Sequence, residues 1–170
     1  SEHLADLYSR IASGLVGKPR RVVLKDQRHP NGMPVFFTDL NGVIQAHPCP
    51  LGPTAPARAN MIVTRASIEH ELGHDLYTDP AVWKTVIEIA RGERPAPDGL
   101  DAQGAAMLKH LFNVIEDGRM ERRLIDASPG VAPGLAASCQ LVPRWQGPSG
   151  RPEHLLVDLI GALLCDGLPY

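Results

Sequence analysis

The five residues His70-Glu71-Leu72-Gly73-His74 constrain this chain more than any other stretch of it. Two histidines four positions apart lie on one face of an α-helix, one turn apart, so both imidazoles can bind the same metal ion. Glu71 follows the first histidine directly. Its carboxylate therefore lies beside the metal, where it can take a proton from a zinc-bound water. The pattern predicts two zinc ligands and a general base on one helix, and it requires a third ligand from elsewhere.

The residues around the motif favour a helix with one buried face. Ser67 is a suitable N-cap, and apolar residues recur at four-residue steps, at Ile68, Leu72 and Leu76. Just before it, Asn60–Thr64 has the composition of a strand, and Met61–Arg65 is the predicted sheet edge to which a substrate peptide could add as a further strand. The alternative is an ordinary helix whose two histidines are polar surface groups.

The third ligand is expected on a later helix, which Asp101 caps and which runs to about residue 125. Three carboxylates follow one another there, Glu116, Asp117 and Glu121, and a helix packed beside the motif would bring one of them to the metal. Glu116 is the predicted ligand. The other two carboxylates would then orient the ligands through hydrogen bonds. The alternative is a solvated acidic face with local charge pairs, such as Glu116 with Arg119.

The two segments together resemble the gluzincin group of zinc peptidases. The resemblance is carried by His-Glu-Leu-Gly-His and by the later Asn113-Val114-Ile115-Glu116-Asp117-Gly118-Arg119-Met120-Glu121, and it covers about residues 60–125. Within that group the chain is most similar to a bacterial and phage set joined to a von Willebrand factor A domain. The related cobalt-chelatase subunit carries a similar Leu-Asn-x-Leu-Glu-Asp-x-Arg segment. This resemblance implies a zincin-like fold, a bound Zn²⁺ and a glutamate, here Glu116, as the third ligand.

Other polar residues have supporting roles in this interpretation. Asn113, Asp117, Arg119, Glu121 and Asp75 are the residues predicted to surround and orient the metal ligands. Asp79 could do the same for a histidine, although it is better placed to cap the next helix at Pro80.

Two further possibilities stay open. A donor must meet the oxyanion formed in peptide hydrolysis, and the candidates are Tyr77, His110, Arg119 and His154. Cys49, which follows His47, could block the zinc as a thiolate or could be an ordinary loop cysteine.

The rest of the chain predicts an α+β fold, with a small mixed or antiparallel sheet followed by a mostly helical part. Predicted helices cover residues 2–15, the segment from Pro80, and 152–164; predicted strands cover 21–24, 34–39 and 43–46, the last two joined by a turn at Asn41-Gly42. Residues 127–150 are rich in Gly, Pro and small residues, and they are predicted to be a loop.

The length, charge and cysteine content of the chain exclude several classes of function. The 170 residues suit one domain, either a whole protein or a fragment of a larger one. A net charge of −2 without a basic block argues against binding to nucleic acid or a membrane surface. No apolar run reaches the length needed to cross a bilayer. Cys49, Cys139 and Cys165 are odd in number and widely spaced, which favours the cytoplasm.

We therefore expect a zinc-dependent peptidase that uses Glu71 as general base and acts on a peptide or protein. The rival is a non-catalytic, zinc-stabilised assembly module that works with an AAA+ ATPase or a von Willebrand factor A partner. Glu71 separates the two, because a structural zinc site has no use for a base. A second rival is hydrolysis of a non-peptide amide by the same residues.

Overall fold

The structure, a computed structural model, describes residues 2–30, 32–97 and 99–146, with the side chains of 143–146 left out. The elements in these residues are α1 (Glu2–Val16), β1 (Arg21–Leu24), β2 (Phe37–Thr38), β3 (Val43–Ala46), α2 (Ala57–Tyr77), α3 (Pro80–Ala90), α4 (Ala102–Ala127), a 3₁₀ turn (Pro129–Val131) and α5 (Ala132–Gln146). The predicted α+β class is confirmed. The predicted helix over 152–164 lies outside the described residues.

The three strands form one small mixed sheet in the order β1-β3-β2. β1 runs parallel to β3, from the pair Arg21–Val43 to the pair Leu24–Ala46. β2 runs antiparallel to β3, with Phe37 opposite Gln45, and the predicted turn at Asn41-Gly42 leads back into β3. The outer edge of β2 pairs with no strand of the described chain. β2 is shorter than the strand predicted over 34–39.

One face of the sheet is covered by α1 and α2. The buried residues of this core are apolar or aromatic and come from all the packed elements: Tyr8, Ala12, Val22, Ile44, Ala46, Ile68 and Leu72. Ile44 and Leu72 are fully buried, and each contributes about 1.5–3 kcal/mol through the hydrophobic effect. Leu72, which lies between the two motif histidines, thus packs the motif helix against the sheet.

The predicted strand at Asn60–Thr64 is wrong, because these residues lie inside α2, which begins at Ala57. Ser67 is consequently an interior helical residue and not an N-cap. The β-branched residues of this stretch favour a strand locally, but tertiary packing overrides that preference. Val63 belongs to a buried cluster against which Leu141 and Val142 of α5 pack, and only a helix presents it there.

The predicted loop over 127–150 is also wrong, because most of it forms α5. Pro133 lies in the first turn of that helix, where a missing N–H costs no hydrogen bond. Leu135 is buried together with Ala66 of α2 and Leu124 of α4. The small residues that suggested a loop instead allow α5 to pack closely on the motif helix.

The predicted caps of α3 and α4 are confirmed. The Asp79 carboxylate accepts a hydrogen bond from the backbone N–H of Ala81 at 2.8 Å, and the Asp101 carboxylate accepts one from Gly104 at 2.8 Å. Not every apolar side chain of these helices is buried, since Val82 of α3 is 45% exposed and Ile115 of α4 is 69% exposed.

Among the described residues, no helix combines the length and the apolar character needed to cross a membrane.

Candidate metal centre

The motif helix α2 meets α4 at Gly73, inside the motif itself. A Cβ placed on Gly73 would lie 2.4 Å from Sδ of Met120 and 3.5 Å from Cδ2 of Leu124. Both of these α4 side chains are buried. The two helices can therefore approach this closely only because the residue is glycine, and the approach brings Asp117, one turn before Met120, opposite the two histidines.

Three side chains, which we call the candidate triad, converge at this crossing: His70, His74 and Asp117. Nε2 of His74 lies 3.0 Å from Oδ1 of Asp117, and Nε2 of His70 lies 3.8 Å from the same oxygen. Two ligands bound to a tetrahedral zinc at about 2.0 Å each lie about 3.3 Å apart, which is close to both values. Oδ1 of Asp117 is buried and accepts no hydrogen bond from the described residues. The triad thus fits a zinc ion in donor type and spacing.

Glu121 orients the ring of His70. Its Oε1 lies 2.7 Å from Nδ1 of His70. A carboxylate only accepts hydrogen bonds, so Nδ1 carries a proton, and Nε2, on the side of Asp117, is the nitrogen that a metal ion would bind. This is the carboxylate–histidine arrangement that holds metal-binding imidazoles in proteins, and it gives Glu121 the orienting role that the sequence predicted for it.

A second chain of hydrogen bonds reaches the ring of His74. Nδ1 of His74 lies 2.9 Å from Oγ1 of Thr78, and the Thr78 hydroxyl donates to Oε1 of Glu116 at 2.7 Å. Arg119 donates from Nε to the other oxygen of Glu116 at 2.6 Å. The hydroxyl proton is committed to Glu116, so Thr78 accepts from Nδ1–H, and Nε2 of His74 also keeps its lone pair for the candidate triad.

These contacts place Glu116, the predicted third ligand, outside the converging group and favour Asp117 in its place. Both of its carboxylate oxygens are occupied, one by Thr78 and one by Arg119, and it is not a member of the converging group. The hydrogen bond from Arg119 lowers the pKa of Glu116, and that from Thr78 lowers it further. Its position is that of a residue that orients His74 through Thr78, and the ion pair with Arg119 proposed as an alternative from the sequence is present.

The site carries an excess of negative charge. Glu71, Glu116, Asp117 and Glu121 meet around the two histidines, with Arg119 as a compensating cation. Burial acts to lower the pKa of His70, but the hydrogen bond to Glu121 and the nearby charges of Asp117 and Glu71 outweigh it and raise the pKa to about 9. In the absence of a metal this imidazole therefore attracts a proton, which shows how strongly the site favours a cation.

Glu71 lies beside the candidate triad, and its neighbours differ from those of the three triad residues. Burial raises the pKa of its carboxyl, and the two neighbouring histidines act to lower it. The backbone N–H of Thr38 in β2 donates a hydrogen bond to it. A carboxyl whose pKa is raised above its ordinary value is suited to accept a proton and return it.

A cleft of about 290 Å³ opens onto Glu71 and the two histidines. Its walls come from β2 and the loops around it, from α3 and from α4: Phe36, Phe37, Thr38, Leu40, Thr78, Trp83 and Asn113. The predicted substrate edge at Met61–Arg65 is wrong, because that segment is helical. The strand edge next to the motif is β2.

Other predicted residues are placed elsewhere. Asp75 does not orient a histidine, because its carboxylate accepts hydrogen bonds from Nε of Arg20 at 2.5 Å and from the backbone N–H of Gly42 at 2.9 Å. Asp79 caps α3. Cys49 is not part of the converging group; its backbone N–H donates to Nδ1 of the buried His47.

The predicted oxyanion donors do not line the cleft in the described part of the chain. Tyr77 packs against an apolar cluster, His110 is exposed on α4, and the guanidinium of Arg119 is bound to Glu116 and to the carbonyl of Tyr77. His154 lies outside the described residues. Asn113, which was predicted to orient the ligands, donates from Nδ2 to Oδ2 of Asp117 at 3.0 Å and lines the cleft.

Two features of the site were missed in the sequence. Thr78 belongs to no metal-binding motif, although it stands four positions after His74 and so on the same helical face. The wall formed by β2 and Trp83 depends on long-range packing, and no local signal in the sequence marks it.

Comparison with known proteins identifies no family: no family model, curated protein or solved structure matches the chain. The functional argument therefore depends on the geometry of the site.

Proposed function

We propose that this chain is a zinc-dependent peptidase of zincin-like architecture, with His70, His74 and Asp117 as the metal ligands. The observation that carries the proposal is the convergence of both Nε2 atoms on one buried, unbonded carboxylate oxygen, with Glu71 beside them. This set departs from the gluzincin pattern in its third ligand, which is an aspartate one position after the expected glutamate.

Each remaining polar residue has a task in this proposal. Glu121 holds His70, and the pair of Thr78 and Glu116 holds His74, so that both rings present Nε2. A bound zinc ion would supply a water of lowered pKa and would polarise the scissile carbonyl. Glu71 takes the proton released when water attacks and passes it to the amine that leaves.

The cleft favours an extended peptide over other amides. The outer edge of β2 pairs with no described strand, so its backbone groups are available to a peptide that adds alongside it. Thr38 of this strand already contacts Glu71, which places the edge next to the chemistry. Phe36, Phe37 and Trp83 line the cleft and suit large apolar side chains near the scissile bond.

The same cleft distinguishes the peptidase from a structural zinc module. Structural zinc sites have four protein ligands and are closed, whereas this site has three among the described residues and faces open space together with a base. An AAA+ ATPase or von Willebrand factor A partner remains compatible with a peptidase, as a source of substrate or of activation. The cytoplasm stays the expected compartment, because three widely spaced cysteines do not form a disulfide framework.

The test is hydrolysis of a peptide library by the zinc-loaded protein, with Glu71→Gln as the matched variant. We expect cleavage by the wild type, and a loss of about 10²–10⁴-fold in Glu71→Gln without loss of zinc. Zinc bound at the expected stoichiometry with no cleavage by either protein would favour the assembly module. Cleavage that is equal in both proteins would exclude Glu71 as the base.

A further inference from the structure

The cleft needs a hydrogen-bond donor that the sequence did not identify. When water adds to a peptide carbonyl, the π electrons move to the oxygen, and a donor positioned there stabilises the negative charge. Donors on the cleft wall besides the motif histidines are Thr38, Thr78, Trp83 and Asn113. The hydroxyl proton of Thr78 is committed to Glu116, which leaves the other three.

Asn113 is the donor bound directly to the candidate triad. It stands one turn before Asp117 on α4, and its Nδ2 donates to Oδ2 of Asp117 at 3.0 Å. A carboxylate only accepts, so the nitrogen end of the amide must face Asp117. An amide nitrogen carries two hydrogens. In the described residues only one of them is used.

Trp83 is the weaker choice. Its indole N–H also lies on the cleft wall, but the residue comes from α3 and its ring packs at 5.9 Å from that of Phe112. Among the described residues it makes no hydrogen bond or ring contact with Asp117, His70 or His74. Thr38 contacts Glu71 through its backbone, on the β2 side of the cleft.

We propose that Asn113 is a further catalytic residue whose second amide N–H donates to the carbonyl oxygen of the scissile bond. This inference rests on the proposed peptidase function. The water oxygen bonds to the carbonyl carbon, the water proton goes to Glu71, and the charge that develops on the carbonyl oxygen meets the Asn113 N–H. When the C–N bond breaks, the electron pair returns to form C=O and the proton passes from Glu71 to the nitrogen.

The experiment compares Asn113→Leu, which keeps the size of the side chain and removes both N–H groups, with Gln103→Leu, which removes an exposed amide from the same helix outside the cleft. Both are made in the full chain and assayed at saturating zinc, with bound zinc measured in each. For Asn113→Leu we expect kcat to fall about 10²–10³-fold with KM changed less than about threefold, whereas Gln103→Leu keeps kcat within about threefold.

A binding measurement separates this role from mere support of Asp117. The probe is a peptide phosphonamidate with apolar flanking side chains, whose tetrahedral phosphorus imitates the hydrated carbonyl. The comparison for the ground state is a peptide of the same sequence, and its binding is measured in proteins that also carry Glu71→Gln so that it is not cleaved. Asn113→Leu should weaken the phosphonamidate about 10²–10³-fold and the peptide less than about threefold.

The role of Asn113 would be overturned if Asn113→Leu lost equal affinity for both ligands, or if its kcat stayed within about threefold of the wild type. In either case, cleavage by the wild type would still support the proposed peptidase function. If the zinc-loaded wild type neither cleaves peptides nor binds the phosphonamidate, both proposals fail.

Discussion

Gly73→Ala tests whether the close crossing of α2 and α4 builds the site. The new Cβ would lie 2.4 Å from Sδ of Met120, about 1.1 Å short of ordinary contact. Met120 is fully buried and Leu124 nearly so, so the added methyl can be accommodated only if the Met120 side chain shifts within the core or the helices separate. Overpacking of this kind costs about 1–3 kcal/mol. The higher helix propensity of alanine offsets about 1 kcal/mol of this cost, so we expect the free energy of unfolding to fall by about 0–2 kcal/mol.

A matched control isolates the contact. Gly14 is exposed in α1 and has no atom within 4 Å of its hypothetical Cβ, so Gly14→Ala gains the same propensity without the clash. Denaturant unfolding of the metal-free proteins should therefore separate the two variants by about 1–3 kcal/mol. Zinc titration should show a loss of at least about tenfold in Gly73→Ala alone, because Asp117 moves with α4. Equal stability and equal zinc affinity of the two variants would refute this account of the crossing.

Four further predictions concern single groups. Glu71→Gln should keep zinc stoichiometry in elemental analysis, because Glu71 is not a member of the candidate triad. Glu121→Gln should lower zinc affinity about 10–100-fold in competition titrations, because a neutral amide orients His70 less strongly than a carboxylate does. The control is Arg122→Gln, a change at the exposed neighbouring residue that should leave zinc affinity unchanged. Thr78→Val should lower zinc affinity by a similar factor, whereas Thr78→Ser, which keeps the hydroxyl, should restore most of it. Burial lowers the pKa of His47, so the unfolded chain takes up the proton first. The difference in unfolding free energy between the wild type and His47→Gln, measured with denaturant, should therefore be constant above about pH 6.5 and decrease below it, by at most about 1.4 kcal/mol per pH unit.

Local signals in the sequence were sufficient where one turn of chain determines the structure. The caps at Asp79 and Asp101 and the turn at Asn41-Gly42 were predicted correctly, because each depends on hydrogen bonds or dihedral angles within a few residues. The helical placement of the motif was predicted for the same reason.

The choice between Glu116 and Asp117 could not be made in this way. Adjacent residues on a helix point about 100° apart, so the ligand depends on how α4 is rotated against α2. That rotation is determined by the packing of Met120 on Gly73. Glu116 and Asp117 both stand one turn before Met120 on the face that includes Leu124, so the spacing of these residues does not distinguish the two carboxylates.

The errors at Asn60–Thr64 and at 127–150 have one common cause. The first segment is helical because it packs against α5, and α5 itself was predicted to be a loop. Each helix supplies the buried surface that stabilises the other. A prediction without α5 therefore also lacks the surface that makes Asn60–Thr64 helical.

The measurement that tests the central claim most directly is zinc content by elemental mass spectrometry, after dialysis, of the wild type, Asp117→Ala and Glu116→Ala. The account predicts one zinc ion per chain in the wild type, loss of zinc in Asp117→Ala, and retention with weaker affinity in Glu116→Ala. Zinc retained at wild-type affinity in Asp117→Ala and lost in Glu116→Ala would contradict the assignment of the third ligand. A wild type that takes up no zinc, even when it is added back, would contradict the metal site itself.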